Sequence, residues 1–573
     1  MAVGKRGKCL IVPVKVDISH LSGRERKCLG HLIKASRAIE PIYWKQLSEH
    51  GLPVRNFVRQ ISRHAAPGKK PLFNDYAEYL DLNHGFFDEL NGRKKFFPEF
   101  SERDVLQAIS RAPKGARDGL RAGFESVRAP MFSTEEHASK APGGTMYHPA
   151  ITKEQIADIL ESEKPEHAKL KAQIAKVNTA VTIGKNGNLA AVPYEKLYAD
   201  HLAEASRQLE LAASHASGSL KKYLVSRAKA LVSGDFRESD GNWVNAESNV
   251  NATIGPIETY IDQLAGLKAA YGATVYVSDP KTTAKLEKFK KAAQHLEDAL
   301  PTREEYKNKK AVVPPIEAVQ AVANIGDCGG ISHPVASILP NDEEVRRNTG
   351  YRITLYLNTL EAKSRLEDDI YKKAVSQKSL SRFSEKELID GQRANIVLHE
   401  LGHAGGRLAP AKGVDAEKKL REYANIFSET KAYTLALRHA TELAKTSAIT
   451  EKECDASYYA YLATTIRRLN QSAHAGTLGS AHEKALATIY NFLKRRNAIT
   501  VENGRLDLDI PKARQAVDEL SSKLLEIQGE GSHAKAHALF TEYARMPDAE
   551  TEGILKRIKL PPNVITPFPK LQL

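Results

Sequence analysis

Apolar residues recur at helical spacing over most of this chain. The pattern predicts helices near Glu25–Glu49, Tyr194–Ala213, Leu220–Val232, Lys281–Leu300, Glu385–Gly402, Glu417–Leu443, Ala481–Lys494 and Pro511–Gln528. Thr152-x-x-Gln155, Ser384-x-x-Glu387 and Ser480-x-x-Glu483 read as capping boxes, in which each side chain of the pair satisfies the other's free N–H. Strand-like alternation is sparser and clearest at Thr274–Val277 and Tyr351–Leu357, and the patch from Leu10 to Val14 reads as a further strand. Gly326-Asp327-Cys328-Gly329-Gly330, followed by Pro334 and Pro340, predicts a turn; its glycines lack phosphate-loop spacing. No internal repeat is evident. The expectation is a mainly α chain with a smaller β part.

Composition narrows the class. A chain of 573 residues can build two or more lobes with substantial cores. No run of eighteen apolar residues occurs, so no membrane span is expected. The N-terminal apolar patch is broken by Pro13 and Lys15 and is too short for a secretory signal core, which makes cytoplasmic residence the expectation. Cys9, Cys28, Cys328 and Cys454 are scattered without a C-x-x-C, which suits a reducing compartment. The net charge of +14 invites a nucleic-acid reading. The basic residues, however, fall in short clusters such as Lys69-Lys70 and Lys307-Asn308-Lys309-Lys310, interleaved with acids and without a recognition motif. Specific nucleic-acid binding is therefore not expected. Nothing in the sequence sets the oligomeric state.

The candidate chemistry lies in His399-Glu400-Leu401-Gly402-His403. Histidines four apart share one helix face and can reach one metal ion, and the glutamate between them can take a proton from a metal-activated water. This is the pattern of a zinc-dependent hydrolase. Ile396, Val397, Leu398 and Leu401 predict a buried helix, and Gly405-Gly406 predicts a left-handed cap at its end. A catalytic zinc needs a third protein ligand. The nearest downstream histidine is His439, whereas the predicted helix Glu417–Arg438 carries Glu417, Glu422 and Glu429. Glu429 lies in its more apolar half and is the candidate ligand; the alternative is a surface glutamate paired with Lys431 or Arg438.

From this motif outward the chain resembles the dipeptidyl peptidase III family of zinc metallopeptidases. The resemblance is carried by Leu21-Ser22-Gly23-Arg24-Glu25-Arg26-Lys27, Ile42-Tyr43-Trp44-Lys45-Gln46, Trp243, the run from Ile254 to Asp262, Leu267–Tyr271, Leu339-Pro340-Asn341-Asp342-Glu343, Ser480-Ala481-His482-Glu483 and Leu525–Gly531. It implies an exopeptidase that releases dipeptides from short peptides with a free N-terminus. It maps one Zn²⁺ per chain onto His399, His403 and Glu429, the general base onto Glu400 and an intermediate-stabilising histidine onto His482. Substrate backbone and free amine map onto Glu258, Tyr260 and Asn341. It also implies two lobes around a wide cleft. One comprises 1–280, 313–360 and 521–573 with a small β-barrel and the substrate-binding segments; the other, 281–312 and 361–520, is helical, zincin-like and catalytic.

The chain departs from the family pattern in three places. Its motif has five residues where many members have six, Ser428 stands at a common second glutamate, and Tyr433 replaces an acidic residue one turn from the third ligand. The last change removes a carboxylate that would orient a metal ligand. It keeps open two other readings: a related zinc hydrolase or aminopeptidase with altered substrate, or a catalytically weak peptide-binding protein.

Overall fold

The computed structural model describes residues 10–88, 94–134, 141–311, 314–330, 333–407, 419–559, 564–569 and 571. Helix dominates them. Helix α1 (Gly23–Leu47) starts with a capping box of Ser22 and Glu25 and buries Cys28, Leu32, Ile39 and Trp44. The three capping boxes read from sequence all form. The helix predicted over Tyr194–Ala213 is interrupted at Tyr198, giving Tyr194–Leu197 and Ala199–Ser214.

A five-stranded sheet forms the β part: β1 (Val250–Glu258), β2 (Ala270–Ser278), β3 (Ile316–Gly326), β4 (Ala336–Leu339) and β5 (Arg352–Tyr356), in the order β1-β2-β3-β5-β4. All pairings are antiparallel except β3 with β5. Bulges at Pro256/Glu258 and Val275/Tyr276 bend it. The expected barrel is a half-barrel. Among the described residues no further strand pairs with its edges, but they meet at one end, where Asn341, just past β4, donates to Ile257 O (3.0 Å) on β1. The free edge of β4 is covered by Arg346, which donates to Pro340 O (2.6 Å) and Ile338 O (3.2 Å).

The apolar core divides. One cluster joins α1, β1, β2 and the helices Ala199–Ser214 and Gly218–Ser233; a second, containing Val54, Phe57, Phe73 and Phe124, lies beside it. The largest cluster joins α2 (Pro280–Asp298), α3 (Leu357–Ala374), α4 (Glu385–Ala404), α5 (Ala424–Lys445), α6 (Glu451–Ala475), α7 (Ala481–Arg495) and α8 (Ile510–Glu530), together with Ile316 and Ala318 of β3 and Ile353 and Leu355 of β5. Residues 521–558, which the sequence expectation assigned to the first lobe, contribute Leu524, Leu539, Phe540 and Leu555 to this same cluster.

Two glycines let α4 sit deep in that bundle. A Cβ at Gly391 would meet Ala456 C on α6 at 2.8 Å, and one at Gly402 would meet Ala432 O on α5 at 2.8 Å. The C-terminal end of α4 is held by polar groups from three directions. Lys431 of α5, fully buried, donates to His403 O (2.9 Å) and Gly405 O (3.3 Å). Gly406 N donates to Glu297 of α2 (3.2 Å), and Gln528 of α8 donates to Arg407 O (3.1 Å). Gly405 is extended, and the left-handed residue is Gly406 at φ +74°, one later than a glycine cap at Gly405 requires; the orphan carbonyls are satisfied by Lys431 instead. The predicted helix Glu417–Leu443 is also corrected. Arg421–Tyr423 form a 3₁₀ turn and α5 begins at Ala424, while 417 and 418 lie outside the described residues.

Gly402→Ala is expected to lower stability by about 1–3 kcal/mol, because its methyl meets backbone rather than a movable side chain. Gly553→Ala, on a helix where nothing lies within 4 Å, is expected to be neutral or to stabilise by up to about 1 kcal/mol. Thermal midpoints of the two variants check the contrast.

Candidate active site

Helices α4, α5 and α7 bring His399, His403, Glu429 and His482 together. His399 and His403 present Nε2 atoms 3.2 Å apart. Oε2 of Glu429 lies 3.4 Å from His399 Nε2, 4.0 Å from His403 Nε2 and 3.0 Å from His482 Nδ1. The candidate ligand atoms of His399, His403 and Glu429 all fall within 4.8 Å of one another, a grouping that could hold a metal ion. The donor set suits the demand: two imidazoles and a carboxylate are a recurrent zinc combination. Glu429 Oε2 is buried and faces only the imidazole nitrogens of His399, His403 and His482, and among the described residues His399 Nδ1 has no hydrogen-bond partner; an ion at the cluster would add a compensating charge for the carboxylate.

The electrostatics follow from burial and proximity. Burial opposes ionisation of Glu429, but the hydrogen bonds and charges of His399 and His482 outweigh it and hold the carboxyl well below the usual range. Burial also disfavours charge on His399, yet Glu429 turns the balance and pushes it up. At His403 burial, with His399 beside it, outweighs the lift from Glu429 and pushes the imidazole down to about 3. That keeps its imidazole neutral, the form a metal requires. Burial pushes Glu400 up, with Glu429 adding to the effect and His399, His482 and Arg346 opposing it. A raised carboxyl is suited to receiving and returning a proton. Among the described residues no hydrogen bond engages Glu400.

The residues around the histidines are those at which the chain departs from the family. Ser428 Oγ lies 3.1 Å from His403 Nδ1 and orients that ring. Tyr433 packs against His399 with ring centroids 4.2 Å apart and planes tilted by 50°, and its hydroxyl lies 3.4 Å from His482 Nδ1. Neither partner of the surface-glutamate alternative is free to pair with Glu429. Lys431 is buried under α4, and Arg438 pairs with Glu442 (2.9 Å) and Asp518 (2.5 Å).

The sheet supplies a second group. Asn341 Nδ2 donates to Glu258 Oε2 (3.1 Å) at the meeting of the sheet edges. Burial pushes Glu258 up to about 7, with Asp327 adding to the rise and Asn341 and Arg346 opposing it. Tyr260 follows on a loop organised by Asp262, which accepts the N–H groups of Leu264, Ala265, Leu267 and Lys268 and the hydroxyl of Tyr147. Tyr260 is 75% exposed, yet burial and then the charges of Glu258, Glu429, Glu400 and Asp327 push its phenol up. Those four carboxylates come from both groups, so Tyr260 stands within electrostatic reach of each. Sequence reasoning missed Lys431, Arg346 and Tyr351, whose buried hydroxyl has no partner among the described residues and feels Glu400. The neighbouring motif residues were the available signal for Lys431; Arg346 and Tyr351 had none.

The pattern that defines peptidase family M49 matches residues 166–461, just over half of the chain. The chain belongs to this family, which is the dipeptidyl peptidase III family of the sequence resemblance. A curated relative, Nudix hydrolase 3 of Arabidopsis thaliana, is 27% identical over 585 residues, covering 97% of this chain and 72% of the relative. The structure of DPP III from Caldithrix abyssi superposes with a TM-score of 0.81 at 25% identity, covering 99% of this chain and 98% of that one. Dipeptidyl-peptidase III from Corallococcus sp. strain EGB shares the fold, with a TM-score of 0.80 at 24% identity over 99% of this chain and 96% of that one. The protein is a peptidase.

The Glu258 carboxyl is expected to titrate near pH 7, visible by carbon-13 NMR and absent from Glu258→Gln. An acid whose folded pKa is raised penalises folding once it ionises. Glu258→Gln should therefore raise the thermal midpoint above pH 7 and have a vanishing effect below its ordinary value of 4.5.

Proposed function

We propose that this peptidase is a zinc-dependent exopeptidase that releases dipeptides from the N-terminus of short peptides. The observation that carries the reading is the convergence of His399, His403 and Glu429 across a cleft from the Glu258–Asn341 pair, with Tyr260 between them in the electrostatics. One zinc per chain would be held by His399, His403 and Glu429. When bound, the ion supplies Lewis acidity toward the scissile carbonyl and the attacking water.

The remaining steps belong to the chain's own groups. Glu400 accepts a proton from the attacking water and returns it to the leaving amine nitrogen. His482, which hydrogen-bonds from the first turn of α7, stabilises charge on the carbonyl oxygen as it becomes tetrahedral. Glu258, ionised above about pH 7, pairs with the peptide's ammonium group while Asn341 and Tyr260 hold its backbone. An anchor at the free amine and a reacting centre at a fixed separation measure off two residues. The partners in this reading are short peptides with a free N-terminus.

The two lobes are proposed to follow the cores, with the helices of 510–557 on the side of the zinc-binding bundle. No described helix is long and apolar enough to cross a membrane. Cys28, Cys328 and Cys454 are free thiols, which supports cytoplasmic residence.

The rival is a peptide-binding protein with weak turnover. It draws on the loss of the acidic residue at the Tyr433 position and on His399 Nδ1, buried with no partner among the described residues. Metal analysis paired with product mass spectrometry separates the two. Wild type and Glu400→Ala are expected to retain one zinc per chain and Glu429→Ala to lose it. Wild type should release dipeptides, with Glu400→Ala slower by about 10²–10⁴-fold and Glu429→Ala inactive. Zinc without dipeptides would overturn the exopeptidase reading in favour of binding.

A further inference from the structure

A groove of about 780 Å³ lies between helix α1 and strand β3, closed on one side by Phe568 and Leu571. It shares no lining residue with the candidate site. The α1 wall carries Arg26, Lys27, Lys34 and Arg37, joined by His31 and by His215 from the end of the neighbouring helix. The spacing explains the grouping: positions 27, 31 and 34 form one row on a helix face, and 26, 30, 33 and 37 form the next. Gly30 stands in the middle of the second row and leaves space there.

The charge balance of this groove is one-sided. Among the described residues no acidic side chain lines it, and none of the four cations makes an ion pair within 4 Å. Elsewhere the chain pairs comparable groups, as in Arg128 with Glu102 (2.9 Å) and Arg514 with Asp455 (3.0 Å). Arg26 is anchored rather than loose: it donates to Leu21 O (3.2 Å) and Ile18 O (2.9 Å), which uses two nitrogens and leaves Nη1 uncommitted. His31 is fixed by Gln208 Oε1 at 2.8 Å from its Nδ1 and stacks on His215 with centroids 5.8 Å apart. Ile33, Val322 and Ile325 contribute apolar surface.

Four permanent like charges around one groove repel one another, and a ligand with several negative charges relieves that repulsion while forming charge-assisted hydrogen bonds. The volume is that of a small-molecule site. The Arg37 fork, the uncommitted Nη1 of Arg26 and two lysines together match the oxygen geometry and the three to four negative charges of linked phosphates better than the two charges of a dicarboxylate. Lys27 and Lys34, seven residues apart, are separated by about 10 Å along the helix, a span that two or three linked phosphates and their contacts fill. We propose that this groove binds a small molecule carrying two or more phosphate groups. Inorganic polyphosphate and nucleoside di- or triphosphates share that chemistry.

Calorimetry on the full chain tests it, with inorganic triphosphate, ATP and adenosine as probes. Triphosphate is expected to bind saturably at low salt, one per chain, and to weaken as salt rises. Lys27→Gln with Lys34→Gln should weaken it by about tenfold or more, with the thermal midpoint unchanged because both lysines are exposed on the helix surface. ATP binding more tightly than triphosphate, with adenosine silent, identifies a nucleotide; equal binding of the two identifies the phosphate chain alone. Absence of saturable binding by either phosphate at low salt, or binding that the paired substitutions leave unchanged, overturns the proposal.

Discussion

A carboxylate in a protein interior has to be offset by positive charge, by aligned donors or by a metal, and much of this structure is arranged around one such group. Glu429 points into a space bounded by three imidazoles that arrive on two other helices. Two of them come from α4, so the axial position of that helix decides whether the carboxylate is compensated. The glycines at 391 and 402 set how deeply α4 can sit, and Lys431 fixes its last carbonyls from the same helix that carries Glu429. One helix, α5, thus supplies both the acid and the brace that positions its partners.

The second half of the site depends on curvature in the sheet. In a flat sheet of this strand order, β1 and β4 would lie at opposite edges, and residues leaving them would be separated by three strands. Bulges in β1 and between β2 and β3 bend the sheet until Asn341 reaches Ile257 and Glu258. The same bend buries Glu258 enough to shift its proton affinity into the physiological range. Arg346 covers the exposed edge of β4 and contributes a charge that both Glu258 and Glu400 feel, so an edge-protecting residue also tunes the cleft.

The departures at Ser428 and Tyr433 act at the two histidines in different ways. Ser428 supplies a hydroxyl to His403 Nδ1, so ring orientation survives with a neutral partner. Tyr433 offers His399 a ring face instead of an acceptor and turns its hydroxyl toward His482. A carboxylate at that position would raise the basicity of its histidine, whereas an aromatic face restricts its orientation without adding charge. The geometry of the candidate metal site is therefore kept by packing at one histidine and by a hydrogen bond at the other.

Local signals were legible in the sequence wherever the chemistry is local. The histidine pair needs only helical periodicity, the capping boxes need only a three-residue spacing, and the α1, α4, α7 and α8 stretches announce themselves by apolar recurrence. The curvature that unites Glu258 with Asn341, the burial of Lys431 and the shared core of residues 521–558 were not legible. Each depends on contacts between segments distant in the chain, and the same side chains would read as ordinary surface or turn residues in isolation. The sequence by itself determined which helices form and which atoms could bind a metal, because propensity and periodicity act within a few residues. Only the tertiary structure decided the protonation of Glu258, Glu429 and His403 and the meeting of the two halves of the cleft, because burial and electrostatic fields are properties of the packed whole.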